Sequence, residues 1–217
     1  MRKENLLPRI DDYIASRALA AQHLREQDPQ VVAARGRAEY QICQDQEGLI
    51  LSYFGRQHWI NWPEVAVTYL EGEGEVPIQE QILMLHYLEN TKGDPLTGET
   101  IDFRQAPGGQ FYYSAFVGRA QTPLLKIFGQ NLELYRQVAE HMGGELAPLG
   151  DVAATYLALP LVPITHVLWK GDEEFEPAVT ILFDLSIVTH LPTEDIAAIS
   201  GMSVYRLMGM ARKLMAS

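Results

Sequence analysis

Three residues near the C-terminus are of types that do chemistry together: Asp184, Ser186 and His190. They alternate along the run 178–190. On a straight strand they would share one face with Thr180, Leu182 and Val188, opposite the apolar Val179, Ile181, Phe183, Leu185 and Ile187. A carboxylate, a hydroxyl and an imidazole are the parts of a hydrolase triad, but the spacing decides against it. At about 3.3 Å per residue Asp184 and His190 would stand roughly 20 Å apart, where a triad needs ~3 Å. If the chain turns helical after Asp184, Ser186 and His190 become neighbours at i, i+4, and Asp184 is still not the orienting group. No Gly-x-Ser-x-Gly elbow occurs either. Each residue is therefore read singly. Asp184 ends Ile181-Leu182-Phe183, which predicts partial burial and hydrogen bonds from backbone N–H groups, or an ion. His190 precedes Leu191-Pro192 at a strand-to-helix transition, a place where side chains often face a cleft. A lone imidazole there can bind a metal or a tetrapyrrole axially.

The flanking residues widen the candidate site. His166 lies in the apolar run 162–169. If Trp169 stands opposite Ala178, His166 shares the face of Ile164, Ile181 and Phe183, a core position; a slip of one residue would set it beside Asp184. The acidic loop Asp172-Glu173-Glu174-Phe175-Glu176 offers oxygen ligands for Mg²⁺ or Ca²⁺ but lacks calcium-loop spacing, so a solvated hairpin loop is the plainer reading. His23 and His141 read as surface residues, and His86 as a packed, hydrogen-bonded one. No close His pair suggests zinc. Two aromatic clusters, Trp59 and Trp62 beside Pro63 and Tyr112 and Tyr113 after Gly108-Gly109, can wall a flat apolar ligand, with Trp169 as a further candidate and Arg104 or Arg119 meeting a carboxylate. More often such rings are core and rim. Neither phosphate-loop pattern is present.

Composition narrows the partners. With 28 Asp+Glu against 17 Lys+Arg, a net charge of -11 argues against nucleic acid and against an anionic membrane surface. No eighteen-residue apolar run occurs, and the N-terminus lacks the apolar stretch of a secretory signal, so the expected location is cytoplasmic. One cysteine, Cys43, excludes an internal disulfide and a self-contained iron–sulfur cluster.

The elements that must position these residues are legible as patterns. Residues 5–35 read as helix. Four short strands at 38–43, 49–54, 58–61 and 65–69 read as a meander, with 44–48 as the first hairpin loop. Pro77 opens a helix to about Asn90, a turn-rich segment follows at 92–98, and 99–104 is extended. Helices are expected at 111–117 and 124–142, then two strong strands as a hairpin, then a helix from Thr193, with Thr193 as its cap. The uneven order predicts an α+β fold with antiparallel strands packed on several helices, not a doubly wound sheet. One compact domain over 1–217 is expected, made of an N-terminal helical segment (1–35), a core (36–200) and a C-terminal helix (201–217).

The runs ILMLHYLENTKGDPLTGETIDFRQAPGGQFYYSAFVGR, LWKGDEEFEP and ILFDLSIVTHLPTEDI resemble the uncharacterised prokaryotic domain-of-unknown-function family numbered 3786, over roughly 36–200. The resemblance implies largely anaerobic company near corrinoid and iron–sulfur metabolism. Some relatives carry an added cysteine-rich segment, from which this chain departs. No catalytic residues come with the family. Three readings follow. The first is a non-catalytic ligand-binding or carrier protein of anaerobic metabolism, taking cobalamin or another corrinoid, or haem. The second is a metal-assisted enzyme using Asp184 and the acidic loop. The third is an acidic interaction protein docking an anaerobic metalloenzyme. They are ranked in that order, so the expectation leans away from an enzyme.

Overall fold

The computed structural model describes residues 10–43 and 45–216. It is an α+β fold in which both sheets are antiparallel. The expected helix at residues 5–9 lies outside the described residues. Two compact units make up the chain, the first reaching to Ser52 and resuming at Arg56–Thr91, the second comprising Tyr53–Gly55 and Lys92–Ser217.

In the first unit the expected N-terminal helix is two helices, α1 (Ile10–Arg25) and α2 (Pro29–Gly36). Asp28-Pro29 divides them. Proline bars the residue before it from helical geometry, and Asp28 instead caps α2 by accepting from Gln30 N at 2.8 Å. The meander β1 (Glu39–Cys43), β2 (Gln46–Tyr53), β3 (Arg56–Asn61) and β4 (Val67–Tyr69) follows in that spatial order. Its first hairpin is tighter than expected, because Cys43 already pairs with Gln46. α3 (Ile78–Asn90) then buries Ile82, Leu85 and Leu88, the stripe its period predicts. Ser16 and His86, 3.1 Å apart, join α1 to α3, and the Arg35 guanidinium donates to Leu88 O at 2.7 Å.

The second unit holds β5 (Thr100–Asp102), α4 (Gly109–Phe116), α5 (Thr122–Phe128), α6 (Leu132–His141), β6 (Glu145–Ala147), β7 (Val152–Leu159), β8 (Val162–Trp169), β9 (Ala178–Asp184) and α7 (Thr193–Ala216). The sheet order is β5-β9-β8-β7-β6. The expected hairpin β8–β9 is therefore the centre of a larger sheet. β7 (VAATYLAL) escaped the sequence reading because alanine is a weak strand former, so the run looks less β-like than its neighbours. Residues 124–142 are not one helix. α5 ends before Gly129, and α6 starts afresh with Asn131 accepting from Leu134 N at 2.9 Å. A π-helical turn at Val117–Gln121 joins α4 to α5. It directly precedes Pro123, whose ring would clash with the carbonyl four residues back in a regular helix; the wider turn relieves that contact. Among the described residues no helix is long and apolar enough to cross a membrane.

Candidate functional site

The register of β8 on β9 decides where the candidate residues go. Trp169 pairs with Ala178 and His166 with Ile181, so every second residue of β8 turns to the helices. His166 is fully buried there, as that register predicts. Tyr156 and Tyr135 stand close by, their rings 5.2 and 6.4 Å from the imidazole. Ser203 of α7 supplies its hydrogen bond at 2.9 Å. The Ser203 hydroxyl donates to Ser200 O at 2.7 Å, so His166 Nε2 must carry the proton in the bond to Ser203. Nδ1 has no hydrogen-bond partner among the described residues. Burial holds this histidine neutral, pushing its pKa down to about 3. Ser203 was missed from the sequence because it lies on another element, 37 residues away.

β9 ends at Asp184, and the backbone turns at once into a 3-10 helix, Leu185–Thr189. Asp184 and His190 thus never lie on one straight strand. Asp184 is half-buried, whereas Asp172, Glu173 and Glu174 are exposed. Its Oδ1 accepts from Ser186 N (2.9 Å), Thr97 N (3.0 Å) and Thr97 Oγ1 (3.0 Å), and its Oδ2 from Gly98 N (2.7 Å). Burial opposes ionisation of this carboxyl. The donors at Thr97, Ser186 and Gly98 outweigh it and hold the pKa well below the ordinary carboxylate range. The backbone hydrogen bonds expected of Asp184 are present: one comes from Ser186, two residues on, and the others from turn residues 86 and 87 positions earlier.

His190 departs from expectation. It was expected to face a cleft, and instead it is 0% exposed. The segment 92–99 passes over this corner: Lys92 N donates to Thr189 O at 3.3 Å, and Leu185 N donates to Glu99 O at 2.7 Å. Burial lowers the His190 pKa, while the charges of Asp94 and Asp184 and a hydrogen bond to the Asp94 backbone pull it back upward. The imidazole is thus biased toward the neutral form and oriented by a backbone group, the state in which histidine ligates metals.

The other candidates have local roles. Arg104 pairs with Asp102 at 2.8 Å and lies over the Tyr113 ring, 5.3 Å from its centroid. The hydrogen bond from Arg104 is the first cause of the lowered Asp102 pKa. Arg104 and Tyr113 are thereby brought together, with Phe103 and Phe116 stacked at 4.2 Å beside them. Tyr112 is exposed, and its neighbour Phe111 is more so, at 89%. Trp169 is partly exposed beside Gly150. Trp59 and Trp62 belong to the first unit. Trp62 is buried, and its backbone N–H donates to Glu47 O at 2.8 Å. The Trp59 ring lies where a Cβ on Gly48 would stand, so only glycine fits at that position of β2. The Thr193 hydroxyl donates to Pro107 O at 2.6 Å and ties the start of α7 to the chain ahead of α4. In the acidic loop, Asp172 accepts from Glu174 N and Phe175 N, which makes it a turn-former. Among the described residues no group of three or more His, Cys, Asp or Glu side chains could hold a metal ion.

A family model described as "Domain of unknown function (DUF3786)" matches residues 28–206, a stretch that takes in both Asp184 and His190. No curated protein and no solved structure matches the chain.

Proposed function

We propose that this chain, which belongs to the Domain of unknown function (DUF3786) family, is a non-catalytic binding protein whose ligand engages His190 at the corner where β9 passes into α7. The observation that carries the reading is the state of that one side chain. Among the polar candidates of the second unit, His190 combines a bias toward the neutral form with orientation by a backbone group and a place just past the end of β9, at the close of the 3-10 helix. The other groups that could do chemistry are committed. Asp184 has both oxygens engaged by donors, His166 is sealed in the core, and Arg104 is paired. A carboxylate already held by several donors, or an imidazole sealed from solvent, makes a poor proton carrier.

The ligand class proposed is a metal centre that takes an axial imidazole, a corrinoid such as cobalamin or a haem, in an accessory or carrier role in anaerobic metabolism. His190 would hold such a group through its imidazole, with the Asp94 backbone orienting the ring, and the group would supply the metal's ligand chemistry. The donor chemistry fits, and the enclosure of His190 means that the covering segment must move for the group to enter. The metal-assisted alternative is weaker, because a cation at Asp184 would compete with N–H and O–H donors already pointing at both oxygens. The acidic docking alternative keeps some support in the exposed Phe111 and Phe175.

The test is a titration of cobalamin and haemin into wild type and His190→Ala, followed by the visible spectrum. Axial-imidazole bands in wild type that vanish in the variant support the reading. No binding by either protein, or identical bands in both, removes it.

A further inference from the structure

His190 is enclosed by a segment with an unusual kind of attachment. Between α3 and β5 the chain forms neither helix nor strand, and no side chain from Lys92 to Glu99 is buried. Its one large apolar residue, Leu96, is 46% exposed. Apolar burial therefore contributes little to holding this segment down. Polar anchors hold it at its ends: Lys92 N on Thr189 O, Glu99 O on Leu185 N, and Thr97 and Gly98 on the Asp184 carboxylate. The stretch between reaches the His190 ring through the Asp94 backbone. Glycines stand at both ends of this bridge, Gly93 at φ 77 and Gly98 at φ 74, left-handed conformations that glycine adopts without strain. A covering segment with no buried side chains, one carboxylate anchor and a glycine at each end opens locally without disturbing the core beneath it.

We infer that residues 93–98 are a strap latched by Asp184, and that release of the latch uncovers His190 while the rest of the second unit stays folded. The inference deepens the proposed binding role, since it names how that site is opened, but the strap is measured without any ligand. Asp184 serves two clients: Ser186 N, where it caps the 3-10 helix, and the strap. Thr97 serves the strap alone, which makes Thr97→Val the cleaner variant.

The experiment treats the full chain with diethylpyrocarbonate and follows modification of each histidine by peptide mass spectrometry, alongside hydrogen exchange. His141 and His23, both exposed, report the rate at the surface, His23 from within its contact with Glu89, and His166 reports opening of the core. In wild type His190 should react far more slowly than His23. Asp184→Ala should speed His190 by about tenfold or more, as loss of charge-assisted bonds raises the open population by that order. Thr97→Val should act in the same direction by a smaller factor. In both variants His166 should stay unreactive and the β7 and β8 amides should stay protected. Equal acceleration of His166 and His190 would show global loosening and overturn the strap, and so would an unchanged His190 in both variants. A strap that opens in a protein that binds no tetrapyrrole removes the ligand reading alone. Tetrapyrrole binding with a strap that never opens removes this inference alone.

Discussion

The second unit contains two fully buried histidines in contrasting surroundings. His166 sits mid-sheet beneath α6 and α7, among two tyrosines and a serine, and its burial alone shifts its pKa. His190 sits at a strand exit beneath an irregular segment, with Asp94 and Asp184 acting on it. Burial biases both rings toward the neutral form for the same reason, the cost of desolvating an imidazolium. They differ in what covers them. Regular helices with apolar faces cover His166, and uncovering it means unfolding the unit. Polar contacts hold the cover of His190: the Asp184 carboxylate at Thr97 and Gly98, and backbone hydrogen bonds at Lys92 and Glu99. A buried histidine is thus a core residue or a shielded site according to its cover, and burial alone does not tell which.

The comparison breaks most visibly at His166. Replacing it by alanine leaves a void in a close-packed core and should cost about 3 kcal/mol in urea unfolding, with His190→Ala costing about half as much. Equal costs would erase the distinction between core and covered corner. The pH dependence of stability sharpens it further. The folded His166 pKa, about 3, lies below its ordinary value of 6.5, so between these values the unfolded chain binds a proton that the folded chain refuses. Stability is therefore complete above pH 6.5 and falls as pH drops toward 3, by up to about 1.4 kcal/mol per pH unit. His166→Gln should flatten that slope, and proton NMR should show the His166 ring still neutral at pH 5.

Asp184 contributes with the opposite shift in a lower window. Its pKa is depressed, so its stabilisation is present above the ordinary carboxylate range and is lost as pH falls below it. Asp184→Ala should cost roughly 2 kcal/mol at neutral pH, the order of a charge-assisted hydrogen-bond cluster that is half-exposed. The smallest effect expected is that of Thr97→Val, about 1 kcal/mol or less, since Gly98 N still holds the carboxylate. A loss there as large as that of Asp184→Ala would mean that the two ends of the latch act as one indivisible unit.

Several features were legible in the chain because they are local. The four-strand meander and the Pro77 helix start follow from periodicity and turn chemistry, whereas the sequence left two registers open for His166 and the pairing of β8 with β9 chose the buried one. Asp28-Pro29, which divides the first helical segment, was also a readable signal that the broader period masked. β7 was not readable in this way, since its alanines become strand-like only between β6 and β8.

The site divides along the same line. That Asp184 would draw backbone donors was contained in its place after three large apolar residues. That the donors are Thr97 and Gly98, that Ser203 completes His166, and that a segment ahead of β5 encloses His190 were decided by tertiary structure. The physical reason is separation along the chain. Hydrogen bonds spanning 37, 86 and 87 residues leave no periodic trace, because their partners become neighbours only when β9 pairs with β5 and α7 packs beside the sheet.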